Sequence, residues 1–164
     1  MKIYMAGPLG FSEAGRYFYY RELVPAVTRL GYEVLDPWKL TDQKEIDAVL
    51  ALPYGIERRD AWRALNVKIG TNNRKAIDAS DGVFAVLDGV DVDSGTAAEI
   101  GYAFAKGKPI IGYRGDFRLS ADNEGSTVNL QVEYFIRQSG GTIIAKTDEI
   151  PGAFEKIESV MRRR

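Results

Sequence analysis

The 164-residue chain contains no cysteine and no histidine. Without cysteine there is no disulfide framework, no thiol nucleophile and no thiolate metal site. Without histidine there is no Ser-His-Asp triad, no His-ligated zinc and no imidazole acid or base. Excess charge of either sign is also missing: 22 Lys+Arg stand against 23 Asp+Glu, a formal net charge of -1. A nucleic-acid binder needs a basic face, and this balance argues against one. Long apolar runs are absent, since none approaches the ~20 residues of a spanning helix. The N-terminus offers one Lys and then only Ile3 to Ala6 before Gly7-Pro8, too little for the apolar region of a signal peptide. The expectation is a cytoplasmic protein that meets neither membrane nor nucleic acid. Its chemistry is left with carboxylates, Tyr, Lys, Ser/Thr, an O-ligated metal or a cofactor.

What is present is ordinary globular composition, 45% apolar and 27% charged. The length suits one domain, residues 1–164, with a core that needs no staples. Short apolar runs that stop at turn residues alternate with helical stretches. Ile3–Ala6, Tyr32–Leu35, Val83–Leu87, Pro109–Tyr113 and Thr142–Ala145 read as strands. Ser12–Leu30, Glu45–Leu52, Glu57–Ala79, Thr96–Lys106, Val128–Gln138 and Ala153–Arg163 read as helices. This alternation predicts an α/β fold, a doubly wound, flavodoxin-like sheet of five parallel strands with helices on both faces. Such sheets bind ligands beyond the carboxyl ends of their strands. The loops that matter are therefore Gly7–Gly15, Asp36–Lys44, Asp88–Gly95 and Arg114–Ser126.

Familiar ligand motifs fail on inspection. Gly7-Pro8-Leu9-Gly10 lacks the GxGxxG spacing of a dinucleotide site, and Gly107-Lys108 is followed by Pro109 where a P-loop needs Ser or Thr. Asp91 and Asp93 have the spacing of a calcium loop, but its last ligand position falls on Tyr102. A magnesium ion on Asp88, Asp91 and Asp93 stays open as an alternative, while the reading adopted has no metal and no cofactor.

The most informative segment runs from Asp93 to Ala103, DSGTAAEIGYA. It follows the third strand and opens a helix with small residues, which let another group approach the backbone. Glu99 lies near the positive end of that helix, which favours its ionised form. Two readings of Glu99 compete. Thr96-Ala97-Ala98-Glu99 fits a capping box, in which Glu99 reaches back to the Thr96 backbone. The box does not explain why Asp93, Gly95 and Gly101 surround it at a strand's carboxyl end.

This segment resembles the signature of the nucleoside 2-deoxyribosyltransferase family: an Asp, a Gly-Thr-type turn, then Glu, a branched residue and Gly. Ile3–Pro8 resembles the family's opening strand and turn, Asp81–Leu87 its third strand, and Val128-Asn129-Leu130 its late Asn-Leu motif. The four lie in the family's order over roughly Lys2 to Ile136. The resemblance implies exchange of the base of 2-deoxynucleosides for a free purine or pyrimidine, as in nucleoside salvage. It makes Glu99 the nucleophile, which forms a covalent deoxyribosyl intermediate and gives net retention, the logic of a retaining glycosidase. Tyr4 is implied to donate its hydroxyl to Glu99, and Asp93 to bind the base and protonate its departing ring nitrogen. Gly7 and Phe11 are implied to line the substrate site. Asn129 is implied to reach the sugar hydroxyls of a neighbouring subunit's substrate, with Gln131 beside it, so that a homo-oligomer shares its sites.

Two positions depart from the pattern. Many members carry an Asp eight residues before the third-strand Asp. Counting back from Asp81 gives Asn73, which hydrogen-bonds but delivers no proton. Acid duty therefore moves to Asp93, and Asn73 is retained as a base contact. Some members end in an aromatic residue, whereas this chain ends Met161-Arg162-Arg163-Arg164, basic residues that complement a helix C-terminus. Two alternatives share the sheet. One is a 2-deoxynucleoside 5′-monophosphate N-hydrolase, with Gly10, Ser12 and Arg16 as phosphate contacts. The other is a non-catalytic nucleoside or nucleotide sensor.

Overall fold

A computed structural model describes residues 1–162. Arg163 and Arg164, part of the basic C-terminus, lie outside the described residues, while Arg162 pairs with Glu158 one turn back at 2.6 Å. Five strands, β1 (Lys2–Ala6), β2 (Glu33–Leu35), β3 (Gly82–Val86), β4 (Ile110–Tyr113) and β5 (Thr142–Ile144), form one sheet. Every pairing is parallel and the order is β2-β1-β3-β4-β5, as the alternating pattern requires. From β1 the chain moves outward to β2, then returns to place β3 on the other side. The strand order thus reverses between β1 and β3, and a crevice opens beyond their carboxyl ends.

Side-chain alternation along the strands feeds two cores. Ile3 and Met5 of β1, with Phe84 and Val86 of β3, point to one face. There they meet Tyr19, Leu23 and Val27, and the apolar stripe of α7 (Ile150–Met161), including Phe154 and Ile157. Tyr4 and Ala6, with Val83 and Ala85, point to the other face. That face is covered by α4 (Ile56–Ala79), α5 (Ser94–Ala105) and α6 (Leu130–Gln138). β3 is buried along its whole length, as its unbroken apolar run implies.

Differences from the sequence expectation have local causes. The expected helix Ser12–Leu30 is three pieces: α1 (Glu13–Phe18), a π-helical turn Tyr19–Leu23, and α2 (Val24–Arg29). Pro25 has no N–H to give and its ring collides with the carbonyl four residues back, so one wide turn absorbs it. The stretch after β2 holds a 3-10 turn, Pro37–Lys39, then α3 (Gln43–Ala51) and α4. α5 starts at Ser94, not Thr96, because Asp93 is its N-cap. α6 starts at Leu130, not Val128, because Asn129 caps it. α7 starts at Ile150, since Pro151 suits a first helical turn. No described helix is long and apolar enough to cross a membrane.

Candidate active site

Tyr4 stands on β1 beside Val83 of β3 and is fully buried, with its ring on the face that α4 and α5 cover. Glu99 is the sixth residue of α5. The Tyr4 hydroxyl donates to Glu99 Oε1 at 2.6 Å. From α4, the Asn73 amide Nδ2 donates to the same oxygen at 3.3 Å. Oε2 accepts no hydrogen bond among the described residues. The capping-box reading of Glu99 is therefore corrected. The side chain runs away from the helix end into the crevice, and the cap belongs to Asp93. Asp93 Oδ2 accepts from the Thr96 backbone N–H at 2.9 Å and from Thr96 Oγ1 at 3.0 Å, leaving Oδ1 without a partner among the described residues.

The ionisation of Glu99 is set by several neighbours. Burial pushes its carboxyl above the usual range, the hydrogen bonds from Tyr4 and Asn73 pull it down, and the Asp93 charge pushes it up, for a net rise. Burial, followed by the Glu99 charge, pushes the Tyr4 hydroxyl far above its ordinary value, so it remains a proton donor.

A cavity of about 390 Å³ opens at the reversal of strand order and is lined by Gly7, Phe11, Asn73, Asp93 and Glu99, among others. That volume falls within the ~300–1,000 Å³ of small-molecule sites. Five of the eight anticipated site residues thus line one cavity, and Tyr4 touches it through Glu99. Asn129 and Gln131 do not line it in a single chain. Asn129 Oδ1 caps α6, accepting from the backbone N–H groups of Gln131 and Val132 at 3.0 and 3.4 Å. The lining includes two carboxylates and, among the described residues, no Lys or Arg.

Gly7 has φ 153°, and a Cβ there would lie 2.9 Å from Val86 Cβ, so the β1 turn needs glycine to pass β3. Ser12 and Arg16 are used locally: Ser12 Oγ accepts from Gly15 N–H at 3.0 Å, and Arg16 Nη1 donates to the Gly10 carbonyl at 3.0 Å. Neither lines the cavity, although these bonds hold Gly10, Ser12 and Arg16 together at the turn after β1. Asp88, Asp91 and Asp93 do not form a metal cluster. Asp88 Oδ1 accepts from Asp116 N–H at 2.8 Å and Asp91 Oδ1 from Val92 N–H at 2.7 Å. Among the described residues no three such groups are placed to hold an ion.

Sequence reasoning placed the loop of Pro37 and Trp38 at the ligand edge but named no residue of the apolar wall that these two make with Ile46 and Ile69. Trp38 packs edge-on against Phe11 at 4.8 Å, and Gly10 lies so close that a Cβ would come within 2.1 Å of the indole. Its backbone N–H donates to Asp36 Oδ1 at 3.0 Å. Asp36 is buried and also accepts from the hydroxyls of Tyr19 at 3.1 Å and Tyr20 at 3.0 Å. One signal was available: Asp-Pro-Trp is a capping residue followed by Pro in the first turn. Asn66, Ile69 and Asn73 of α4 also recur at helical spacing and share the cavity-facing side.

Known proteins resemble this chain in sequence and in fold. Residues 3–131 match the family model described as nucleoside 2-deoxyribosyltransferase. A protein of Schizosaccharomyces pombe, itself uncharacterized, is 30% identical over 54% of this chain, and the match spans 61% of that relative's length. A conserved protein from Enterococcus faecalis has the same fold, with a TM-score of 0.66, 25% identity and 98% coverage of both chains. A 2-desoxiribosyltransferase from Leishmania mexicana superposes with a TM-score of 0.62 at 24% identity, covering 96% of this chain and 97% of that one.

Proposed function

The chain belongs to the nucleoside 2-deoxyribosyltransferase family, and from that premise we propose that it exchanges the base of 2-deoxynucleosides with Glu99 as nucleophile. The observation that carries this is the asymmetry of the Glu99 carboxylate. Tyr4 and Asn73 hold Oε1, while Oε2 has no partner among the described residues and belongs to a residue lining a cavity of about 390 Å³. Oε2 attacks the anomeric carbon, the N-glycosidic bond breaks, and its electron pair leaves with the base. Asp93 Oδ1 hands a proton to the departing ring nitrogen. A second base then attacks the same carbon from the vacated face, returns its proton to Asp93 and expels the Glu99 carboxylate. Two displacements give net retention. A 2-deoxyribosyl donor suits this route, because no 2-hydroxyl withdraws electrons from the carbon where positive charge develops.

Trp38 and Phe11 offer aromatic surface for a base, and Asp93 Oδ1 offers an acceptor for its N–H groups. No described cation lines the cavity, which favours a neutral nucleoside over its 5′-monophosphate and sets the transferase ahead of the nucleotide hydrolase. Asn129 enters through assembly: its Nδ2 has no partner among the described residues, and in a homo-oligomer it reaches the sugar bound by a neighbour.

The test is base exchange. Incubation with deoxyinosine or thymidine plus free adenine should yield deoxyadenosine, and Glu99→Gln should abolish it. Absence of exchanged nucleoside across a panel of donors and acceptors sinks the proposal. Base release without exchange, faster from the 5′-monophosphate, replaces it with the hydrolase. Tight nucleoside binding with no base released, little changed in Glu99→Gln, replaces it with the sensor.

A further inference from the structure

Both hydrogen bonds that Glu99 receives arrive at one oxygen, and one of them comes from the position where an Asp was expected. The Asn73 amide has a defined orientation. Turned round, its oxygen would face Oε1 and two acceptors would oppose each other. With Nδ2 toward Glu99, Oδ1 is sealed from solvent and has no hydrogen-bond partner among the described residues. We propose that Asn73 is a positioning residue for the nucleophile. Its N–H, with the Tyr4 hydroxyl, fixes Oε1 so that Oε2 attacks, and its neutrality adds no further negative charge to a half-buried carboxylate that Asp93 already faces. This deepens the reading of Glu99 as nucleophile and rests on it.

The surroundings explain why the residue is Asn. The groups facing Glu99 are Tyr4 from β1, Asn73 from α4, and Asp93 from its own helix. Asp36, beyond them, is engaged by Tyr19 and Tyr20. None is a cation, and no described Lys or Arg lines the cavity. An Asp at position 73 would bring a second carboxylate within hydrogen-bond reach of Oε1, with its other oxygen sealed and without a donor. Two carboxylates so placed do not both ionise, and the pair retains a proton that one alone would release. Asn supplies the donor without the charge.

The test compares Asn73→Asp, which is isosteric, with Asn73→Ala, which deletes the bond and adds no charge. Asn73→Asp should move the acidic limb of kcat upward in pH, so that activity lost at neutral pH returns as pH rises. Asn73→Ala should lower kcat by roughly tenfold or more for every base, the loss of one bond to a charged group. Its acidic limb should move less than that of Asn73→Asp, and KM for the base should change little. A residue that only touched the base would change KM in a base-dependent way and leave the limb in place. That outcome overturns the proposal, as does Asn73→Ala with parental kcat. Carbon-13 NMR titration of the Glu99 carboxyl, assigned by its loss in Glu99→Gln, reads the pair without substrate. Glu99 should titrate at higher pH in Asn73→Asp than in the parent, and an unmoved titration also overturns the proposal. A parent that exchanges no base defeats the functional reading alone, because the titration still decides the role of Asn73.

Discussion

Replacing Tyr4 by Phe removes one hydroxyl from a fully buried ring. That hydroxyl has one partner, Glu99 Oε1 at 2.6 Å. A hydrogen bond to a charged group contributes about 1.5–3 kcal/mol, and one to a neutral group about 0.5–1.5 kcal/mol. Glu99 is charged before it attacks. In the proposed deoxyribosyl-enzyme it is an ester, and Oε1 is its neutral carbonyl oxygen. Deleting the hydroxyl therefore costs the carboxylate state about 1–2 kcal/mol more than the ester state. The balance shifts toward the covalent intermediate by roughly 5- to 30-fold. The burden falls on breakdown of the ester, where the negative charge returns to Glu99 and finds its stronger donor gone. Tyr4→Phe should thus turn over slowly yet release a burst of base. In a rapid quench with deoxynucleoside and no acceptor, intact mass should reveal a larger fraction of enzyme carrying deoxyribose than in the parent. Loss of the hydrogen bond also raises the Glu99 carboxyl. The experiment therefore belongs on the alkaline side of the acidic limb, where Glu99 is ionised in both proteins. An adduct fraction no larger than the parent's would refute the reasoning, whatever happened to the rate.

Three further outcomes are expected. Asp93→Asn keeps an oxygen for the cap of α5 and Asp93→Ala does not, so only the latter should lose about 1 kcal/mol of stability in denaturant melts. Both should slow base departure by roughly a hundredfold or more, and parental activity in Asp93→Asn would remove Asp93 from acid duty. Burial above all raises the Glu99 carboxyl in the folded state. The stability this group contributes is then full below its unfolded value and lost as pH rises through its folded one. Glu99→Gln lacks that titration, so its stability should overtake the parent's progressively from acid to neutral pH, and a constant gap in the melts would contradict this. Gly10→Ala sets a methyl against the Trp38 ring and should cost about 1–3 kcal/mol of stability. Its KM for the base should rise more than its kcat falls; unchanged steady-state constants would mean that Trp38 does not touch the base.

The sheet was legible because its strands are short apolar runs with Gly, Pro or Asp at their ends, and burial on both faces demands that pattern. The cavity's place was legible with it, since strand order alone locates the reversal between β1 and β3. The partners of Glu99 were not readable from spacing. Thr96 and Glu99 fit a cap, and only the tertiary position of Tyr4, on a distant strand, makes a better use of the carboxylate. Resemblance supplied that pair, but it offered Asn73 only as a contact to the base. The residues of the Trp38 wall went unnamed for a related reason. Asp36-Pro37 reads as the end of a strand. What makes it a scaffold is two tyrosines from the π-helical turn, whose own existence depends on Pro25. Asn66 and Ile69 lie in register with Asn73, yet polar residues on a long helix read as a solvated face until a neighbouring helix encloses them.

The proposed mechanism assigns acid and nucleophile to the same kind of side chain, so position has to distinguish them. The two carboxylates of this cavity are distinguished by what each has already spent. Asp93 gives Oδ2 to the first turn of its own helix, where Thr96 supplies both donors. Its free oxygen belongs to a half-buried residue at the cavity wall, suited to trading protons with a base. Glu99 gives Oε1 to Tyr4 and Asn73, from a strand and a helix that the fold brings together. Its free oxygen belongs to a residue that is likewise half-buried, with no described cation beside it, so the negative charge is held by hydrogen bonds alone. In the proposed mechanism each residue keeps one oxygen for structure and one for substrate. Exchanging Asp for Glu at either position would therefore misplace both oxygens at once.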